Sequence, residues 1–362
     1  MFQGLVDFLV FLILSAYYII ESIIINLIPR HYRAGWRETL RGEIALVTGG
    51  GNGIGRTLCS KLSRLGATVV IWDINSQGAE DTAAMLRQEG GKAHSYKCDI
   101  SNNDDVYATA KKVRQEVGKV TILVNNAGIV SGKTLLETPD AMIKKTFDVN
   151  ILAHFWTTKA FLPDMIAGDN GHIVTIASLA GLVGVNKLVD YSASKFAAVG
   201  FDEALRLELE VEGKRGVSTT VVCPYYVSTG MFEGVKSRLF PILEPDYVAD
   251  EIVTAIRSRD KVLLLPSYLR IFLALKFLVP WDCALVFLRC LIADTMQQFG
   301  YKNGETVPLM ANAKVPEEPE KKQQPQVAAP LKEEFTQLNG SANLTLRRIQ
   351  QQEEESDNGR LI

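Results

Sequence analysis

The chain has 362 residues, of which 47% are hydrophobic, enough for one large core with appendages. Lys+Arg number 39 and Asp+Glu 41, and the net charge of −2 gives no bulk attraction to nucleic acid. The five Cys (59, 98, 223, 283, 290) form no CxxC pair, and the four His (31, 94, 154, 172) stand at no metal-ligand spacing. Composition therefore leads us to expect a reduced, cytosol-facing protein with no metal.

The N-terminus is apolar, and across residues 8–28 the only charge is Glu21. As a helix that run reaches about 31 Å, the thickness of a bilayer's hydrocarbon core. The positive charges follow the run (Arg30, Arg33, Arg37, Arg41) rather than precede it, unlike a signal peptide. Residues 1–30 are expected to be a membrane anchor with the rest of the chain in the cytoplasm. Glu21 is costly near a bilayer centre, so a helix lying in the interface is the alternative to a span. A buried soluble helix is the plainer reading.

Residues 43–265 alternate short β-rich runs with stretches of helical pattern. The strand candidates are "EIALVTG", "TVVIWD", "AHSYKCD", "ILVNNAG", "GHIVTIAS", "STTVVCP" and "KVLLLP". Such alternation predicts a parallel sheet with crossover helices on both faces. The first strand runs into "TGGGNGIG", where Gly49, Asn52, Gly53, Ile54 and Gly55 would make a tight turn opening a helix. Glycine lets the backbone approach a pyrophosphate, and the helix N-terminus offers N–H donors and a positive dipole end. Asp73 closes the second strand, where a carboxylate binds the adenosine ribose hydroxyls and repels the 2′-phosphate of NADP. Arg56 follows the glycines and is the one opposing sign. NAD is expected, with NADP possible.

Further along, "DYSASKFAAVG" places Tyr191 and Lys195 four residues apart, on one face of a helix. Alone, the pair reads equally well as a surface tyrosine and a solvated lysine. Residues 263–296 are apolar again but interrupted by Pro266, Arg270, Lys276, Pro280, Asp282 and Arg289. They predict two amphipathic helices, set against a membrane surface or packed as a lid on the domain. From about residue 302 the chain is rich in Pro, Gln, Lys and Glu, and 302–362 is expected to be disordered.

Taken in order, Thr48-Gly49-x-x-x-Gly53-x-Gly55, Asp99, "NNAG" at 125–128, Asn150, Ser178 and Tyr191-x-x-x-Lys195 resemble the short-chain dehydrogenase/reductase superfamily. The resemblance covers roughly residues 40–265. It implies a Rossmann-type doubly wound parallel sheet, so the expected organisation is an anchor (1–30), a catalytic domain (40–300) that includes the apolar extension 263–296, and the tail. It also implies that Tyr191 is the general acid/base, tuned by Lys195. Free tyrosine is too weak an acid to serve at neutral pH, and a neighbouring ammonium and a cationic nicotinamide lower its pKa. By the same resemblance Ser178 binds the substrate oxygen, Asn150 holds a relay water, and Lys195 also holds the nicotinamide ribose. Asp99, with Ile100 beside it, meets the adenine edge. Asn126 and Ala127 line the cofactor cleft, and Pro224, Val227 and Thr229 cover the carboxamide. One departure stands out: Tyr225 occupies a place where the family usually has Gly, and it narrows the wall beside the nicotinamide.

The N-terminal anchor, "HFWTTKAFLPDM" and "VVCPYYVSTGMF" resemble the membrane-bound group of retinol dehydrogenases and 17-beta-hydroxysteroid dehydrogenases. That implies a lipophilic alcohol as substrate, retinol first and then a steroid or long-chain alcohol. It implies membrane lipid as a partner and a homodimer through the helices around Asn150 and Tyr191. The location it implies is the endoplasmic reticulum membrane or a lipid droplet surface. A non-catalytic lipid-surface protein and a soluble carbonyl reductase are the competing readings.

Overall fold

The computed structural model describes residues 2–29, 32, 36–237, 240–283, 285–286, 296, 299, 301–302 and 305–306. All seven expected strands form: β1 (Ile44–Thr48), β2 (Thr68–Asp73), β3 (Ala93–Lys97), β4 (Ile122–Asn125), β5 (Gly171–Ile176), β6 (Val217–Pro224) and β7 (Val262–Leu265). They make one parallel sheet in the order β3-β2-β1-β4-β5-β6-β7. The direction of winding reverses between β1 and β4, the switch point at which open α/β sheets bind ligands.

The inner strands β1, β2 and β4 read as largely apolar runs because both faces are covered, whereas the edge strand β3 is polar and mostly half-buried. Ala45, Val47, Val69 and Ile71 face one layer, made by α2 (Gly53–Arg64), α3 (Ser76–Gln88) and α8 (Pro245–Ser258). Leu46, Val70 and Trp72, the alternate residues, face α4 (Asn103–Glu116) and α6 (Ala153–Ala167) on the other side. The α7 helix (Val189–Val211) touches both clusters, Tyr191 and Ala198 lying in the first and Leu209 in the second. A short helix, α5 (Asp140–Phe147), precedes a π-helical turn at Asp148–Leu152 that feeds α6.

The N-terminal run forms α1 (Phe2–Leu27), with Phe8, Phe11, Ile13, Tyr18 and Ile19 each more than half exposed. Among the described residues, no helix is long and apolar enough to cross a membrane. The apolar stretch 263–296 is not helical from its start, because Leu263, Leu264 and Leu265 are buried in β7. The stretch becomes helical at α9 (Leu269–Leu278). Most of its second expected helix lies outside the described residues. So does nearly all of the tail, apart from a short antiparallel pairing of Tyr301–Lys302 with Glu305–Thr306.

Candidate active site

The glycine loop is built to leave room. Gly49 (φ +64°) and Gly53 (φ +52°) occupy the left-handed region, where a side chain is strained. A Cβ on Gly55 would lie 2.2 Å from the Gly49 carbonyl oxygen, and one on Gly49 would lie 2.9 Å from the Ala127 Cα. Asn52 caps α2, its Oδ1 accepting from the Gly53 N–H at 2.6 Å. Thr48 then ties β1 to the loop after β4: its Oγ1 accepts from the N–H groups of Asn126 (3.0 Å) and Ala127 (3.1 Å). The Asn126 amide returns bonds to the carbonyls of Thr48 (2.8 Å) and Gly49 (3.2 Å). The result is a helix N-terminus facing a cleft floored by backbone, where close approach and N–H donors suit an anion such as a pyrophosphate.

Asp73 stands at the rim of that cradle. Its Oδ2 accepts from Gly51 N–H and its Oδ1 from Asn75 N–H, both at 2.9 Å. Arg56 turns to the Gly51 carbonyl and the Thr82 hydroxyl. Asp99 is held by the backbone and hydroxyl of Ser101 and by Lys145 at 3.5 Å. Burial pushes the Asp99 carboxyl up, but the Ser101 hydrogen bonds and the Lys145 charge outweigh it, and the net direction is down. Ile54 packs on the edge of one core cluster, and Ile100 is buried in the other. Thr229 approaches Gly53 from across the cleft: a Cβ there would lie 3.3 Å from the Thr229 side chain. Val227 pairs with Leu243 and anchors that crossing loop.

The catalytic candidates converge beyond the ends of β5 and β6. Tyr191 and Lys195 are one turn apart on α7 and both buried. Lys195 Nζ donates to the Ile176 carbonyl at 2.7 Å and lies 5.7 Å from the Tyr191 ring centre. Ser178 hydrogen-bonds the Tyr191 phenol. Asn150 sits in the π turn with its whole amide engaged. Its Oδ1 accepts from Ile129 N–H (2.8 Å), and its Nδ2 donates to the Ile129 carbonyl and the Ser194 hydroxyl, each at 3.0 Å. A Cβ on Gly128 would lie 3.3 Å from that Oδ1 and 3.6 Å from Lys195 Nζ, so the "NNAG" loop runs directly over the pair.

Within the protein alone, burial pushes the Tyr191 phenol up to about 12, with the Ser178 hydrogen bond only partly opposing it, while the expected lowering rests on Lys195 together with a cationic nicotinamide. Burial likewise pushes Lys195 down to about 8. Desolvation disfavours both charged forms, and for the phenol the Ser178 hydrogen bond offsets only part of it.

An apolar pocket opens on Tyr191, lined by Ser178, Leu188, Pro224, Tyr225, Tyr226 and Phe232. Its wall is aromatic. Phe232 meets Tyr191 edge-on with centroids 5.7 Å apart, Tyr226 meets Phe232 at 5.2 Å, and Tyr225 meets Tyr226 at 4.9 Å. Tyr225 forms part of this wall, and its phenol is tied to the Ser237 hydroxyl at 2.9 Å. Phe240 carries the ring contacts on to Tyr268 and to Phe272 of α9. Among the described residues there is no group of His, Cys, Asp and Glu suited to a metal ion.

Sequence reasoning missed Phe232, Tyr226 and Phe299, which packs on Phe232 with centroids 6.1 Å apart. Nothing local marks them, since only the chain's return over the sheet brings them to Tyr191. It also missed Ser194, although that residue lies inside "YSASK". Ser194 Oγ donates to the Tyr191 carbonyl at 2.7 Å and accepts from Asn150.

A doubly wound sheet, a glycine loop at its switch point and a Ser–Tyr–Lys cluster whose Tyr191 and Lys195 are buried define a nicotinamide-dependent oxidoreductase. Residues 43–239 match the family model described as short chain dehydrogenase. The chain is 47% identical to human epidermal retinol dehydrogenase 2 over 79% of its own length and 90% of the relative's. It is 44% identical to human 17-beta-hydroxysteroid dehydrogenase 13, covering 76% of this chain and 90% of that one. Among solved structures, a short-chain dehydrogenase/reductase from Burkholderia phymatum in complex with NAD superimposes with a TM-score of 0.61 at 27% identity, covering 68% of this chain and 96% of that chain. A metagenomic short-chain oxidoreductase in complex with NADP matches with a TM-score of 0.53 at 31% identity, covering 62% and 96%. The chain belongs to the short-chain dehydrogenase/reductase family, in the group of these retinol and 17-beta-hydroxysteroid dehydrogenase relatives. The glycine cradle fits the cofactor of that family, NAD or NADP.

Proposed function

We propose that this protein oxidises a lipophilic alcohol, or reduces the matching carbonyl, at a membrane surface, with NAD preferred. The observation that carries the reading is the Ser178–Tyr191–Lys195 cluster, its Tyr191 and Lys195 buried, opening on an aromatic-walled pocket. An apolar pocket with a few convergent polar groups selects a greasy substrate and orients its one polar atom. Retinol is our first choice. A 17-beta-hydroxysteroid is the second, favoured by the similarity to 17-beta-hydroxysteroid dehydrogenase 13.

In the proposed mechanism Ser178 holds the substrate oxygen, and Tyr191 takes the hydroxyl proton during oxidation or returns it during reduction. A bound cofactor supplies the hydride acceptor or donor and, when oxidised, a positive charge beside the phenol. Lys195 adds its ammonium to lower the phenol's pKa against the effect of burial, and it holds the nicotinamide ribose. Both Asn150 amide hydrogens are spent inside the protein, so a relay water would be held by its main-chain carbonyl. Gly49, Asn52, Gly53, Ile54 and Gly55 would cradle the pyrophosphate. Asp73 would take the adenosine ribose, and Asp99 and Ile100 the adenine side. Asn126, Ala127, Pro224, Val227 and Thr229 would flank the nicotinamide. The preference for NAD rests on Asp73 at the rim and on Arg56 being spent on the Gly51 carbonyl and Thr82.

The exposed apolar side chains of α1 support lipid attachment, and Ile271 and Leu278 on α9 with Trp281 beyond it offer a second apolar surface, all three more than 60% exposed. The endoplasmic reticulum or a lipid droplet is the proposed location. Leu152, Phe155, Leu207 and Val211 leave apolar area exposed around α6 and α7, which supports a homodimer there.

NADH production by membranes carrying the full chain tests this reading, with all-trans-retinol or a 17-beta-hydroxysteroid supplied and Tyr191→Phe as the control. Turnover that the variant abolishes is the expected result. Silence with both alcohols, with a fatty alcohol and with NADP would overturn it.

A further inference from the structure

Asp190 directly precedes Tyr191 and takes no part in the mechanism just described. It is an acidic residue in the first turn of α7 and is 4% exposed. Its Oδ1 accepts from the Ser131 hydroxyl at 2.7 Å, and its Oδ2 accepts from the Thr146 hydroxyl at 2.9 Å. Both donors are themselves buried, Ser131 at 4% and Thr146 at 0%. Ser131 belongs to the loop after β4, two residues beyond Ile129, whose backbone is clasped by Asn150. Thr146 belongs to α5, just ahead of the π turn that carries Asn150. One carboxylate therefore joins three separate pieces of chain: the cofactor-facing loop, the approach to Asn150 and the helix that bears Tyr191.

Burying a carboxylate is costly unless it is compensated by hydrogen bonds or charge. Among the described residues no basic side chain pairs with Asp190. Two hydroxyls and the positive end of the α7 dipole hold it instead. A joint made of short, directional bonds fixes orientation more tightly than apolar packing would, since packing tolerates sliding and a bidentate pair of hydrogen bonds does not.

We propose that Asp190 is a positioning residue for Tyr191, holding the first turn of α7 in register with the post-β4 loop. It acts through Tyr191 and touches neither substrate nor cofactor. The proposal rests on Tyr191 being the acid/base.

The test uses the full chain in membranes, with rates normalised to NADH-binding sites counted by fluorescence titration. Asp190→Ala should leave NADH affinity and KM within about threefold of the parent while kcat falls about 10- to 100-fold, as a small misplacement of a reacting group does. Asp190→Asn keeps an acceptor and swaps the other for a donor that a rotated hydroxyl can meet, so it should recover most of the lost kcat. Should Asp190→Ala fail to fold, Ser131→Ala and Thr146→Val each remove one bond, and each should lower kcat without changing KM. An unchanged kcat per binding site in these variants overturns the proposal, because a merely structural role lowers the number of sites and not their rate. Tyr191→Phe, run alongside, separates the two failures. If it stays active, the acid/base assignment is what fell, and the positioning role falls with it. If it is silent while the Asp190 variants turn over normally, only the positioning role fails.

Discussion

Lys195 Nζ lies 5.7 Å from the Tyr191 ring centre while donating its hydrogen bond to the Ile176 carbonyl at 2.7 Å. The ammonium is thus held beside the phenol by the end of β5, not by the phenol itself. Both groups are buried, and burial raises one pKa and lowers the other.

Oxidation should accordingly become faster as the pH rises. The base form of Tyr191 is needed, and within the protein alone its phenol is pushed up to about 12 by burial. We expect kcat/KM for the alcohol to climb from neutral into alkaline pH, and that for the carbonyl to fall over the same range. A flat oxidation profile up to pH 10 would remove Tyr191 from the proton step.

Gly55→Ala should abolish cofactor binding. Its Cβ would meet the Gly49 carbonyl oxygen at 2.2 Å, and neither backbone can yield without moving the loop. A thermal shift should show a loss of about 1–3 kcal/mol and no stabilisation by added NADH. Stabilisation equal to the parent's would show that the loop is not the cofactor's cradle.

Asp73→Ser tests the NAD preference. The carboxylate props Gly51 and Asn75 and would face the ribose hydroxyls. The variant should raise KM for NAD about tenfold, equivalent to ~1.4 kcal/mol, and lower the NAD-to-NADP ratio of kcat/KM. An unchanged ratio would place discrimination elsewhere.

Tyr225→Gly should widen the substrate range. The Tyr225 ring lines the pocket and is pinned by Ser237 and by edge-on contact with Tyr226 and Phe240. Removing it should lower KM for the bulkiest alcohols more than for slender ones, at a stability cost of about 3–5 kcal/mol as for other buried aromatics. Equal effects on all substrates would mean that the ring supports the loop without touching the substrate.

Acid should destabilise the fold through two histidines. His154 and His172 are both pushed down to about 3, chiefly by burial, with Lys195 acting on the former and Arg259 and Arg37 on the latter. Their folded pKa values lie below the unfolded value near 6.5, so the unfolded chain binds more protons in acid. The stability they contribute is fully present above pH 6.5 and is lost as the pH falls toward 3. Both ring nitrogens of His154 lack a hydrogen-bond partner, so His154→Leu should keep the melting temperature at pH 7 and soften its fall between pH 6 and 4. An identical acid slope would exclude His154 as a contributor.

The seven strands and the glycine loop were legible because their signals are local. Unbroken β-branched runs such as "TVVIWD" demand burial on both faces, and glycines that must adopt φ near +60° announce themselves by type. Tyr191 and Lys195 were legible as a pair because helix periodicity alone puts them on one face, and the ordered motifs around them declared the family. Three things needed the tertiary structure. The aromatic wall of Tyr226, Phe232 and Phe299 joins residues whose proximity depends on how the chain returns across the sheet. The Asp190 joint unites loop, α5 and α7 across sequence separations of 59 and 44 residues. The direction of the Tyr191 pKa was decided by burial, a property of packing density around a site that no spacing of residues encodes.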